Sequence, residues 1–177
     1  MNNVLVKMTV FLLLMLSSIS INVFAQENYL LGPGDKVAIK VFGEEELTIE
    51  TILASSGNIN YPFLGEVKVT GLTVKQVEEV IERGLNGDYL ISPNVYVQVV
   101  EYRPFYILGE VKNPGGYPYQ PGMTVNQAIA LAGGLTERAD DNEISLIKEG
   151  DKGIKQQASF VYKVNAGDTI TIDPRFF

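Results

Sequence analysis

Gly122-Met-Thr-Val-Asn-Gln127, followed by Ala128-Ile-Ala-Leu-Ala-Gly-Gly134, repeats a segment found earlier in the chain, Gly71-Leu-Thr-Val-Lys-Gln76. Both have the form G-x-T-V-x-Q. The Thr hydroxyl of such a segment can accept from the backbone N–H three residues on, and the Gln side chain can return the bond, a reciprocal cap that marks the start of a helix. After the first cap, Val74, Val77, Ile81 and Leu85 fall at helical spacing, with Lys75, Glu78, Glu79 and Glu82 pointing elsewhere. After the second, Val125, Ala128, Ile129 and Ala132 form one apolar face. Both helices are expected to close on Gly-Leu, Gly84-Leu85 and Gly134-Leu135. A weaker echo relates Gly34-Asp35-Lys-Val-Ala-Ile39 to Gly167-Asp168-Thr-Ile-Thr-Ile172. Each places a Gly-Asp turn before an alternating strand, with Gly tolerating unusual backbone angles and Asp able to bond its own backbone. The pattern predicts two small units, each wrapping a sheet around one helix, joined near Arg103-Pro104. Two copies are too few for a solenoid.

Strands fill the remainder. Val37, Ile39 and Val41 alternate with Lys36, Ala38 and Lys40, the period of a half-buried strand. Glu44-Glu45-Glu46 reads as a charged loop and Thr48 to Leu53 as a second strand. Gly57 to Tyr61 leads into Pro62-Phe63-Leu64-Gly65 and a short strand from Glu66 to Val69. Val95, Val97 and Val99 alternate again, and Phe105 to Val111 is a further candidate. Mixed short strands with one main helix per unit define an α+β class.

Composition narrows the function. The 177 residues are 46% apolar and 20% charged, with net charge −7. That suits one folded domain or two small ones, and it argues against disorder and against a basic nucleic-acid footprint. There is no Cys and no His, which removes disulfide frameworks, zinc-finger spacings, Cys nucleophiles and His-dependent triads. Met8 to Leu16 is apolar apart from Thr9, and Val23-Phe24-Ala25 puts small residues before Gln26. This is the layout of a secretory signal peptide over residues 1–25, too short and too polar for a membrane span of about 20 apolar residues. An exported chain without Cys fits a periplasm and carries no lipid anchor on an N-terminal cysteine.

Four features invite chemistry. Glu44, Glu45 and Glu46 form the densest carboxylate cluster, but paired acids need fixed separation and unequal environments to work on glycosides; a solvated tip is the better reading. Asp140-Asp141-Asn142-Glu143 has the wrong register for a calcium loop and reads as a plain polar loop. Gly32-Pro33-Gly34 and Gly115-Gly116 lack the spacing and the following helix of a phosphate loop, and read as turns. Of nine Tyr, six lie between Tyr89 and Tyr119, where core packing or interface use is favoured over glycan stacking. A terminal Phe177 does not make a membrane barrel when no series of spanning strands accompanies it.

Taken in order, these motifs resemble the periplasmic and outer-membrane polysaccharide export proteins, in which a polysaccharide-export domain precedes SLBB domains of β-grasp-like fold. Tyr29-Leu-Leu-Gly-Pro-Gly-Asp-Lys-Val-Ala-Ile-Lys-Val41, with Gly32, Gly34 and Asp35, is similar to the family's opening. Gly57-Asn-Ile-Asn-Tyr-Pro-Phe-Leu-Gly-Glu-Val67, with Gly57, Pro62 and Gly65, is similar to the family's next stretch, and Pro93 to Val99 to its closing strand. Tyr106-Ile-Leu-Gly-Glu-Val-Lys-Asn-Pro-Gly-Gly-Tyr117, with Gly109, Glu110, Pro114 and Gly115, resembles the start of an SLBB unit, and Ala132-Gly133-Gly134 its helix end. After the expected signal peptide over 1–25, the resemblance implies an export domain over 26–103 and an SLBB domain over 104–177. These motif residues are structural turns, not catalytic, cofactor-binding or metal-binding groups. The resemblance implies a non-enzymatic part of an exopolysaccharide export route, in a short form without a C-terminal membrane helix. It implies no cofactor, and as partners a polysaccharide, further copies of the chain in a ring, an outer-membrane β-barrel and an inner-membrane polysaccharide co-polymerase. The alternative is a soluble periplasmic ligand-binding module.

Overall fold

The alternating segment Lys36–Val41 forms strand β1 and buries Val37, Ile39 and Val41. The computed structural model describes residues 29–151 and 153–175; the expected signal peptide and Phe177 lie outside them. After β1 come β2 (Glu44–Ile52), β3 (Asn58–Tyr61), β4 (Gly65–Lys68), helix α1 (Val74–Leu85) and β5 (Val95–Glu101). The second half contributes β6 (Phe105–Gly109), β7 (Gly115–Tyr117), helix α2 (Val125–Leu131), β8 (Ala139–Ile147), β9 (Lys155–Gln157) and β10 (Thr169–Pro174). The result is an α+β architecture with one helix in each half.

In the first half β1 is central, antiparallel to β2 on one side and β5 on the other, and β3–β4 is a separate hairpin. Helix α1 turns Val77, Ile81 and Leu85 inward onto Ile39, Val95 and Val97. Fully burying each such side chain is worth about 1.5–3 kcal/mol. In the second half the sheet order is β7-β6-β10-β8-β9, with β10 parallel to β6 and antiparallel to β8. Its core gathers Phe105, Ile107, Ile129, Leu146, Ile170 and Ile172. The half-buried ring of Tyr29 packs against both cores.

Both expected capping boxes form. Thr73 Oγ1 accepts from Gln76 N–H and Gln76 Oε1 from Thr73 N–H, and Thr124 and Gln127 do the same. The internal echo extends to contacts. Leu31, four residues before Asp35, donates its N–H to the carbonyl of Leu72, the residue before the first cap, at 2.9 Å. Val164, four residues before Asp168, donates to the carbonyl of Met123, the residue before the second cap, at 3.0 Å. In each half the strand after the helix runs antiparallel to the Gly-Asp strand. The halves share a turn, a strand and a helix, but the Gly-Asp strand opens the first half and closes the second.

Several expectations need correction. Glu44-Glu45-Glu46 is not a loop: the hairpin turn is only Phe42-Gly43, with Gly43 at φ 90°, so Val41 already pairs with Glu44 and the glutamates begin β2. Asp140 to Glu143 likewise lies within β8, not a loop. Helix α1 ends on the expected Gly84-Leu85, but α2 stops at Leu131, short of the expected Gly134-Leu135, with Gly133 just beyond its cap at φ 82°. Strand β6 stops at Gly109, whose φ is 83°, while β10 continues past Ile172 to Pro174 through a register shift.

Candidate functional site

The two halves meet at Arg103, which directly precedes Pro104 and β6. The turn Gly32-Pro33-Gly34-Asp35 forms its socket. Asp35 is fully buried, and its Oδ2 accepts from the N–H of Gly32 at 2.9 Å, closing the turn. Arg103 donates its backbone N–H to Asp35 Oδ1 at 2.8 Å and its Nη1 to Oδ2 at 2.7 Å. A Cβ on Gly32 would stand 2.6 Å from the guanidinium carbon, so only glycine leaves room for it. The other edge of the guanidinium reaches the second half, donating from Nη2 and Nε to Glu149 Oε2 at 2.5 and 2.8 Å. The hydroxyl of Tyr29 donates to Asp35 and accepts from Arg103 Nη1 at 2.7 Å.

Aromatic rings close the joint. Tyr29 meets Tyr102 edge-on with centroids 4.8 Å apart, and Tyr102 meets Tyr119 at 5.5 Å in the same manner. Edge-to-face geometry suits the ring quadrupoles. Burial and the bond to Asp35 push the Tyr29 phenol far above its ordinary value. Burial works against the charge of Arg103, but the bond to Glu149 and the charge of Asp35 more than offset it and hold the guanidinium above its ordinary value. Every charge in this cluster has a partner, so the arrangement ties the two halves together.

Asp168 occupies the matching place in the second half. Its Oδ2 accepts from Asn165 N–H at 2.8 Å and its Oδ1 from Glu149 N–H at 3.3 Å. Each buried aspartate thus anchors the backbone of one member of the Arg103–Glu149 pair.

The sequence-predicted motif residues separate into three places. Gly32, Gly34 and Asp35 build the Arg103 socket. Gly57, Pro62 and Gly65 shape the β3–β4 hairpin, where the Gly57 carbonyl accepts from Val69 and Thr70. Gly109, Glu110, Pro114, Gly115, Gly133 and Gly134 gather at one end of the second half. There Glu110 Oε2 accepts from the Thr136 hydroxyl at 2.5 Å, and the Gly134 carbonyl accepts from Lys112 N–H at 3.0 Å. Among the described residues no group of three or more His, Cys, Asp or Glu is placed to hold a metal ion. The glutamates of β2 are exposed. Tyr29, Arg103 and Glu149 are not among the predicted site residues; the one sequence signal at Arg103 is its place at the expected junction of the two units.

Residues 23–100 match the family described as polysaccharide biosynthesis/export protein, and residues 104–157 match the SLBB domain. The chain belongs to the polysaccharide export protein family. It is 33% identical over 131 residues to the exopolysaccharide production protein ExoF of Rhizobium meliloti, covering 66% of this chain and 30% of that protein. It is 25% identical over 159 residues to the polysialic acid transport protein KpsD of Escherichia coli, covering 84% of this chain and 28% of that protein. It is 26% identical over 182 residues to the EPS I polysaccharide export outer membrane protein EpsA of Ralstonia solanacearum, covering 83% of this chain and 48% of that protein. The chain spans less than half the length of each of these relatives. Among its described residues no helix is long and apolar enough to cross a membrane.

Proposed function

We propose that this export-family chain is a non-enzymatic component of an exopolysaccharide or capsule export route, acting in the periplasm at the outer membrane as a ring-shaped conduit or adaptor. The working units are an export domain over 26–103 and an SLBB domain over 104–177. Its partners would be the polysaccharide, further copies of itself, an outer-membrane β-barrel and an inner-membrane polysaccharide co-polymerase. The observation that carries the reading is the order of the two family matches along one chain, export domain then SLBB domain, with Arg103 tying the halves together.

Ring closure needs a heterologous interface, with two unlike patches on each protomer. Two unlike surfaces support this reading. The first half exposes Phe63, Tyr89 and Ile91, the last at 95%, and the rings of Phe63 and Tyr89 stack at 5.0 Å. The second half carries an open groove lined in part by Pro121, Met123 and Leu131.

The test is secreted polysaccharide in a strain lacking only this gene, with a complemented control, alongside the native mass of the purified protein. Loss of secretion restored by the gene, together with a multimeric mass, is the expected result. Unchanged secretion with a monomeric mass would overturn the reading in favour of a soluble ligand-binding module.

A further inference from the structure

Open grooves mark the described surface. One of them, of about 480 Å³ at the β8–β9 end of the second half, brings together side chains of two complementary kinds. Asp141, Asn142 and Gln157 form one wall, and Phe160 and Tyr162 lie on the segment that completes it, with Ser159 beside them. We propose that this groove is a binding subsite for an uncharged sugar residue of a glycan chain. The proposal rests on the export reading above and gives it a location.

The groove is held from beneath. Ala158, at its floor, is buried and donates its N–H to the Ile144 carbonyl at 2.9 Å. The carbonyls of Phe160 and Tyr162 accept from Asn126 and Val125 at the start of α2, each at 2.9 Å. Both rings are half-buried against the second core, so their positions are set by backbone bonds and packing, not by the ligand. A groove already formed costs less ordering on binding.

The chemistry fits a sugar ring. A pyranose has an apolar C–H face that packs on an aromatic ring and a rim of hydroxyls that needs planar donors and acceptors. The polar wall is already aligned: Gln157 Nε2 donates to the Asn142 carbonyl at 3.2 Å, and Asn142 Nδ2 to Asp141 Oδ1 at 3.2 Å. The hydroxyls of Ser159 and Tyr162 belong to the same lining.

Charge selects the class of sugar. The lining contains a carboxylate, Asp141, and no Lys or Arg; Glu143 and Asp140 lie on the same strand. Arg175 pairs with Asp141 at 3.9 Å, one cation against the three carboxylates Asp140, Asp141 and Glu143 of this strand. An anionic uronate or sialate would meet net like charge. The groove beside α2 and the one at the β3–β4 turn lack this pairing of two rings with an amide and carboxylate wall. The shallow, open form suits weak contact, as a chain passing through requires release as much as capture.

The experiment is an NMR titration of the isotope-labelled protein with cellohexaose, maltohexaose and chitohexaose, and with hexagalacturonate as the anionic control. The expected result is a Kd on the order of 1 mM for at least one neutral hexasaccharide. Shifts should be confined to the side-chain amides of Asn142 and Gln157 and the backbone of 158–162. Gln157→Ala and Tyr162→Ala should each weaken binding by about tenfold. Gln157 is exposed, so its variant keeps the fold even if the Tyr162 variant does not. Shifts mapped elsewhere, equal binding of hexagalacturonate, or no binding of any neutral hexasaccharide would overturn the subsite. The two readings fail separately. Lost secretion in the deletion strain without hexasaccharide binding removes the subsite and keeps export. Binding at the groove with normal secretion removes export and keeps the subsite.

Discussion

Arg103 holds Asp35 twice, through its backbone N–H to Oδ1 at 2.8 Å and through its guanidinium to Oδ2 at 2.7 Å. The aspartate side chain is fully buried and that of Arg103 is 13% exposed. Removing one partner of a buried pair leaves the other charge uncompensated, which costs about 3–5 kcal/mol. Arg103→Ala is therefore expected to lower unfolding free energy by about that amount. Glu149, 44% exposed in its side chain, is the solvent-screened partner, and Glu149→Ala should cost about 0–1 kcal/mol. Urea unfolding of the two variants checks the order; equal losses would show that Arg103 is held by the surface pair rather than by the socket.

The motif glycines make separable predictions. Gly109 has φ 83°, and a Cβ there would run into the Ile172 carbonyl, which also accepts from Glu110 N–H at 3.0 Å. Gly109→Ala must part β6 from β10 and should cost about 3 kcal/mol or more. Gly65 has φ 69° with open space around it; its alanine variant meets only backbone strain, about 1–2 kcal/mol. Gly115 has neither a close neighbour nor a left-handed φ, and Gly115→Ala should stay within about 0.5 kcal/mol. Thermal melts of the three variants would reveal the ranking, and a costly Gly115→Ala would contradict it.

Asp168 gives a pH dependence. Burial raises its pKa above the ordinary 3.8, with the N–H groups of Asn165 and Glu149 opposing the shift. A carboxyl that binds its proton more tightly in the folded state adds stability that is fully present below pH 3.8 and is lost as pH rises through the raised folded value. In Asp168→Asn that titration is gone. The difference in unfolding free energy between wild type and variant should therefore shift against the wild type as pH rises out of this acidic window. A flat difference curve from chemical denaturation at several pH values would rule the account out.

These relations show what the residue pattern could carry. The capping boxes, the alternation of β1 and β5 and the Gly-Asp echo are local, and each was readable from spacing. That the two echoes belong to one shared arrangement was not, because the Gly-Asp strand comes first in one half and last in the other. The bonds from Leu31 to Leu72 and from Val164 to Met123, with the antiparallel strand after each helix, align them. The glutamates of β2 were misread because charge suggests a loop, whereas β2 is an edge strand, where exposed charge also discourages pairing with another chain. Strands β7 and β9, three residues each, are too short to show a period. The Arg103 clamp joins Tyr29, Asp35 and Glu149 from distant parts of the chain, and no local pattern encodes such a meeting.

The other edge of the first sheet is covered by side chains. Strand β5 is its outer strand, and its free N–H groups at Val95 and Val97 donate to Glu82 Oε1 at 3.2 Å and Glu78 Oε1 at 2.9 Å. Both glutamates come from α1, one turn apart, so the helix caps the strand it packs on. Charge-assisted bonds of this kind contribute about 1.5–3 kcal/mol, and an unsatisfied part-buried N–H adds a desolvation cost. Glu78→Ala should lose about 1–3 kcal/mol, while Glu79→Ala, on an exposed face of the same helix, should lose less than about 0.5 kcal/mol. Freed N–H groups on an edge strand also template pairing between chains. Glu78→Ala is thus expected to exchange the amide of Val97 faster and to raise the fraction of large species in light scattering. Val97 exchange unchanged from wild type would mean that the edge is protected by something other than the helix carboxylates.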